Sequence, residues 1–197
     1  MKSKIPAVLC LLVLLAVSCG GTTPSSGKPV NDPAAPYDAS VVPEKGQPAF
    51  PKLGTTWVVD PDNACRFSDE TIRFANDLFE GLKRDHIAEV AVVCQKGVKD
   101  NGPYDNGKIW AMQWGNYARL GDKKDRRGLV FLIIPDAPVG RDIVIVERSV
   151  WNYTYTALDY WDTMESAAGY ARYGQFNEAL ELLAREADEK LREVVKP

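Results

Sequence analysis

The chain has 197 residues, of which 45% are hydrophobic and 26% charged, with a formal net charge of −3; this suits a folded domain with polar flanks and excludes a wholly disordered or collagenous polypeptide. No basic stripe is dense enough to neutralise many phosphates, so nucleic acid has no support as a partner. A mildly acidic molecule points instead to cations, small molecules or other proteins.

The chain opens Met1-Lys2-Ser3-Lys4, continues with an apolar run from Ile5 to Val17, and then reads Ser18-Cys19-Gly20-Gly21. A basic start, a short apolar stretch and small residues form the layout of an export signal, expected over residues 1–18. The run falls short of the roughly 20 apolar residues that span a bilayer. Leu15-Ala16-Val17-Ser18-Cys19 resembles the bacterial lipobox, with Ala16 where Leu is commoner. That resemblance implies a lipid on Cys19 and a membrane as partner. The expected location is the cell envelope, on the periplasmic side or at the cell surface. Loss of Lys2 and Lys4 with the signal takes the net charge from −3 to −5.

Residues 19–54 are rich in Pro, Gly, Ser and Thr without apolar periodicity, and are expected to form a disordered tether. Residues 55–197 are long enough for one domain with its own core. Trp57-Val58-Val59-Asp60 predicts a short strand before the turn Pro61-Asp62-Asn63-Ala64. Ser68 suits an N-cap, Asp69 and Glu70 suit the positive end of a helix, and Ile72, Ala75, Leu78, Phe79 and Leu82 share one face up to about Lys83. Ala88 to Val93 reads as a strand buried on both faces. A second helix is expected from about Asn106 to Ala118, with Ile109, Trp110, Met112, Gln113 and Trp114 around its apolar face. Leu129 to Ile134 is the clearest central strand, and Ile143 to Val146 its hairpin partner. Two helices close the chain, from about Thr156 to Tyr170 and from about Phe176 to Val194. In the last, Ala179, Leu180, Leu183, Ala187, Leu191 and Val194 form the core stripe. The order β-α-β-α-β-β-α-α predicts an α/β fold with a mixed sheet covered by helices.

Of the four cysteines, Cys10 lies in the signal and Cys19 at the proposed anchor, leaving Cys65 and Cys94. An even pair in an oxidising compartment points to a disulfide, with two buried thiols as the alternative. The chain lacks the Walker phosphate loop, GxGxxG, HExxH and GxSxG. Its single histidine, His86, falls at the end of the first helix, where a positive group offsets the helix dipole. Acids instead gather at strand ends: Asp60 and Asp62 after the first strand, Asp125 before the central one and Asp136 after it. Several oxygen ligands brought together would suit Ca2+ or Mg2+. Local turn and cap chemistry explains the same placements equally well. The aromatic segment around Trp151, Tyr153 and Tyr155, followed by Tyr160 and Trp161, is either core and rim packing or a surface for a partner or ligand.

Taken together, Val58-Val59-Asp60, Phe67-Ser68, Ala91-Val92-Val93, Trp114-Gly115, Gly128 to Ile133 before Asp136, Ile143 to Glu147 and Tyr173-Gly174-Gln175-Phe176 resemble the TPM domain family of bacterial envelopes and thylakoid lumens. The resemblance implies a three-layer α/β/α sandwich over residues 55–197, divalent-cation binding and acid phosphatase activity in some members, and non-enzymatic help with membrane-protein assembly in others. Carried onto this chain, the acidic positions are Asp60 and Asp136; Asp125-Arg126-Arg127-Gly128 departs from the Asp-Asn-Gly common in that family. The leading expectation is a lipid-anchored envelope accessory protein that binds a divalent cation through Asp60, Asp62, Asp125 and Asp136. The rival is a metal-assisted phosphatase with Arg126 and Arg127 as a clamp. A third is a lipoprotein that docks an envelope or membrane protein through Trp151, Tyr153 and Tyr155.

Overall fold

The computed structural model describes residues 36–100, 107–121, 127–148 and 160–194. The proposed signal, the Cys19 anchor, Asp125, Arg126, Trp151, Tyr153 and Tyr155 lie outside those residues.

Strand β1 is the short pair Val58–Val59, and helix α1 follows over Asp69–Arg84. The Ser68 hydroxyl accepts from the Thr71 N–H at 3.1 Å, satisfying one of the donors a helix start leaves open. Next come β2 (Glu89–Cys94), α2 (Lys108–Tyr117), β3 (Gly128–Ile133) and β4 (Val144–Arg148). Helices α3 (Trp161–Arg172) and α4 (Phe176–Val194) complete the order. The sheet runs β1-β2-β3-β4, parallel across the first three strands and antiparallel between β3 and β4. The hairpin expected across residues 135–140 is therefore present, with Phe131 opposite Val146 and Leu132 opposite Ile145.

Every residue of β3 is buried, which is why it reads as an unbroken apolar run rather than an alternating one. Alternation along β4 separates the two covered faces. A methyl group placed on Gly107, at the start of α2, would lie 3.1 Å from Ile145 Cδ1. Tyr160, just before α3, packs edge-on against Phe131, the cross-strand neighbour of Val146. Helix α2 thus covers one face and α3 the other, with α1 and α3 both packed on α4. The result is the mixed four-stranded sheet flanked by four helices that the element order predicts.

Three local expectations need correction. In α2 the buried face is Trp110, Ala111, Trp114 and Gly115, while Met112 is exposed, because a helix apolar on nearly all sides does not announce which side faces the sheet. Val194 sits in the last turn of α4 and is half exposed, beyond the reach of the core; Ala184 joins the stripe instead. The tether expected up to residue 54 gives way to an ordered strap within the described residues. Pro48 O and Pro51 O accept the indole N–H groups of Trp110 and Trp114 at 3.0 and 2.8 Å, and Phe50 packs edge-on against Trp110 with 5.3 Å between ring centres. Gln47 exchanges two hydrogen bonds with the Lys99 backbone, and the Asp38 N–H reaches Tyr117 O at 2.7 Å. Composition hid this strap because its contacts come from proline carbonyls and isolated aromatic residues rather than from a periodic stripe.

Gly121 shows one close approach. Its φ is +94°, and a Cβ there would sit 2.9 Å from the Gly128 backbone nitrogen, so only glycine lets the chain pass the start of β3.

Candidate binding groove

Two of the strand-end acids, Asp60 and Asp136, hold the backbone. Asp60 directly follows β1, and one carboxylate oxygen accepts from Ala64 N–H at 2.6 Å while the other accepts from Cys65 and Arg66 N–H at 3.0 and 3.2 Å. Three donors converge on it because Asn63 and Arg66 adopt left-handed backbone, which curls the turn around the side chain. That curl delivers Cys65 to Cys94 at the end of β2, and the two form a disulfide with Cα atoms 6.2 Å apart. The expectation of a disulfide holds.

Among the described residues, the one cluster of three potential metal-binding atoms is Asp60 with Cys65 and Cys94. Both sulfurs there are spent in the disulfide. Asp136 accepts the Gly97 N–H with both oxygens, at 3.0 and 3.1 Å, and so ties the loop after β2 to the end of β3. Asp62 is exposed on the turn. The structure therefore does not gather Asp60, Asp62 and Asp136 around a common point. Arg127 donates to the His86 and Ile87 carbonyls at 3.3 and 3.2 Å, holding the turn between α1 and β2. His86 lies exposed in left-handed backbone beyond α1, as a helix-terminal residue does.

A cavity of about 280 Å³ opens elsewhere, along the outer edge of β4 between α2 and α3. Val144, Ile145 and Val146 form its floor. Consecutive strand residues point to opposite faces, so a cavity touching all three must run along the strand's edge. Trp161, Met164, Ala168 and Arg172 line one wall at the three- and four-residue spacing of a helix face. Lys108 from α2 stands on the other side, with Asp142 and Glu165 completing the rim. Trp161 is 58% exposed, whereas its neighbour Tyr160 is 1% exposed and belongs to the core. The pair at the end of the aromatic segment thus divides between core and surface.

Lys108, Glu165 and Arg172 make no ion pair with another described residue. An apolar floor, an exposed indole and unspent charges at the mouth give the chemistry of a recognition site. Sequence reasoning singled out none of the rim charges, since they come from α2, β4 and α3. The legible signal was the stripe Trp161, Met164, Ala168 and Arg172, in which three groove-facing residues precede a terminal arginine. No described helix is long and apolar enough to cross a membrane.

Fold and groove together define an α/β domain with an apolar cleft at a sheet edge. In backbone shape the chain is similar to the N-terminal domain of a protein from P. gingivalis, solved in solution by NMR. The TM-score is 0.52 at 17% identity, over 73% of this chain and 88% of that one. The N-terminal domain of the cg2496 protein from Corynebacterium glutamicum aligns with a TM-score of 0.48 at 13% identity, over 71% and 82% of the two chains. No family model matches the sequence, and no curated protein matches it. The first of these likenesses supports the fold alone.

Proposed function

We propose that this protein is a binding module of the cell envelope, held at a membrane by a lipid on Cys19 and recognising its partner through the groove beside β4. A TPM-like domain is the finer form of the proposal, supported by the sequence patterns given above. The observation that carries the binding role is Trp161, a large apolar side chain left 58% exposed beside a cleft, whereas Trp57, Trp110 and Trp114 are buried.

Catalysis has no comparable support. Asp60 and Asp136 are engaged by backbone donors, and Arg127 is engaged by carbonyls. The cation expected at Asp60, Asp62, Asp125 and Asp136 enters the reading only as a test. Millimolar calcium or magnesium is expected to leave the unfolding temperature unchanged, since a ligand that binds only the folded state would raise it. A rise that disappears in Asp62→Ala would restore the cation, and turnover of a phosphate ester that depended on it would restore the phosphatase.

The groove itself is tested with the apolar anion anilinonaphthalene sulfonate followed by NMR. Shifted amides are expected to cluster on β4 and α3, and Ala168→Trp, which fills the cleft, is expected to abolish them. Shifts scattered over the surface, or unchanged in Ala168→Trp, would remove the groove as the binding site. Anchoring is tested separately by Cys19→Ser, expected to move the protein from the membrane fraction to the soluble one.

A further inference from the structure

The strap and the helix it covers make an unequal pair. Trp110 and Trp114 on α2 are 1% and 0% exposed, yet none of the strap residues 36–54 is buried and none belongs to a strand or helix. Phe50 and Leu53 are only partly buried against the core. The two hydrogen bonds between Gln47 and Lys99 lie in exposed positions, where water competes for them. Exposed Gly54 and Thr55 join the strap to the residues before β1. A segment with few buried contacts and solvent-exposed hydrogen bonds opens locally at less cost than the core unfolds.

The contacts themselves have the form of peptide recognition. Pro48-Ala49-Phe50-Pro51 is a Pro-x-x-Pro run, and its two proline carbonyls accept the indole N–H groups of Trp110 and Trp114. The Phe50 ring centre lies 5.3 Å from that of Trp110 and 5.4 Å from that of Tyr117. Proline-rich segments of partner proteins dock on aromatic-lined surfaces of this kind. An indole only donates, so Trp110 and Trp114 offer nothing to a backbone N–H. Proline has no N–H to leave unpaired, and its fixed φ lowers the entropy lost on docking.

We propose that the aromatic face of α2 is a binding site for a proline-containing segment of a partner protein, and that the strap fills this site in cis and lifts off as a unit when such a segment replaces it. With the strap seated, Trp110 and Trp114 belong to the core. A segment held in cis acts at an effective concentration of about a millimolar, so the exchange favours a partner that is itself kept close by. The proposal is independent of the groove beside β4, and its failure leaves that reading in place.

The test uses the full-length chain in detergent micelles, with the indole protons of Trp110 and Trp114 assigned by comparison with Trp110→Phe and Trp114→Phe. Both protons are expected to exchange at least about a hundredfold faster than the amides of β3, each corrected for its intrinsic rate, because they open with the strap and not with the core. The probe is an acetylated, amidated peptide with the sequence of residues 46–52. At millimolar concentration it is expected to shift both indole signals in Phe50→Ala, whose own strap docks weakly, and to slow their exchange again. The same peptide with alanine in place of its phenylalanine is expected to bind at least about fivefold more weakly. Indole exchange as slow as that of β3 would overturn the proposal, since strap and core would then open together. A Phe50→Ala chain that no longer folds would overturn it for the same reason. Rapid exchange without any peptide-induced shift of the indole signals would reduce the strap to a loose cover over a face that takes no ligand. Peptide-induced shifts confined to β4 and α3 would assign the peptide to the groove instead; either result overturns the α2 site.

Discussion

Two aromatic regions of this molecule meet opposite fates. On α2, Trp110 and Trp114 are fully buried, and each indole N–H finds a carbonyl on the strap, at Pro48 and Pro51. At the start of α3, Trp161 stands 58% exposed above a cleft. The residue type is the same, and what differs is whether another segment of the chain supplies a cover and an acceptor. A tryptophan that is covered and hydrogen-bonded serves the fold, while one that is neither is available to something outside it.

The contrast is sharpest under identical substitutions. Trp114→Ala is expected to cost about 3–5 kcal/mol of stability, the cost of emptying a large buried site. Trp161→Ala is expected to stay within about 0.5 kcal/mol of wild type, as exposed positions do, while losing probe binding in the groove. Urea unfolding of the two variants decides the matter. Equal losses of stability would erase the distinction between the regions.

Next in size is the knot at the end of β1 and β2. Replacing Cys65 and Cys94 together by serine frees a loop whose ends are 29 residues apart, and in the loop-entropy model this costs about 3–4 kcal/mol. Asp60→Ala removes the acceptor of three backbone N–H groups beside the same disulfide and is expected to cost about 2–3 kcal/mol. Neither change should alter binding in the groove, which lies at the opposite edge of the sheet, on β4. Loss of groove binding in a still-folded Asp60→Ala variant would show that the two ends of the sheet are coupled.

A smaller effect is expected on the strap. Phe50 is only partly buried against Trp110 and Tyr117, so Phe50→Ala should cost about 2 kcal/mol or less. Its readout is local: faster exchange of the Trp110 and Trp114 indole protons with groove binding retained. Indole exchange unchanged in that variant would mean that the strap's hydrogen bonds hold without its ring contacts.

These regions also differ in how much the sequence discloses. Strands β2 and β3 were legible as apolar runs, and α4 as a stripe, because burial on a repeating geometry leaves a period behind. Asp60 was legible as an acid after a strand but not as an acceptor of three N–H groups, since the left-handed turns at Asn63 and Arg66 lie at non-glycine residues that give no warning. The strap was hidden because proline carbonyls accept hydrogen bonds without any residue-type signature. The groove was hidden for another reason. Lys108, Val144 and Arg172 approach one another only after the sheet has formed, and no local pattern links α2, β4 and α3.

The strap offers one further handle, in Tyr117. Burial is the main cause that raises its phenol above the ordinary value of 10, and the neighbouring Tyr37, with ring centres 5.2 Å apart, raises it further. A raised value means that the folded chain prefers the neutral phenol. The stability linked to that preference is fully present below pH 10 and is lost as the pH rises through the folded value above 10. The strap is therefore expected to loosen in strong alkali before the groove changes. The chain has eight tyrosines, so the measurement is the difference in phenolate absorbance between wild type and Tyr117→Phe. Tyr37→Phe is expected to bring the Tyr117 value down only part of the way to 10, because burial remains. A full return to 10 in that variant would make the partner ring, rather than the cover, the cause, and would weaken the claim that the strap seals this side of α2.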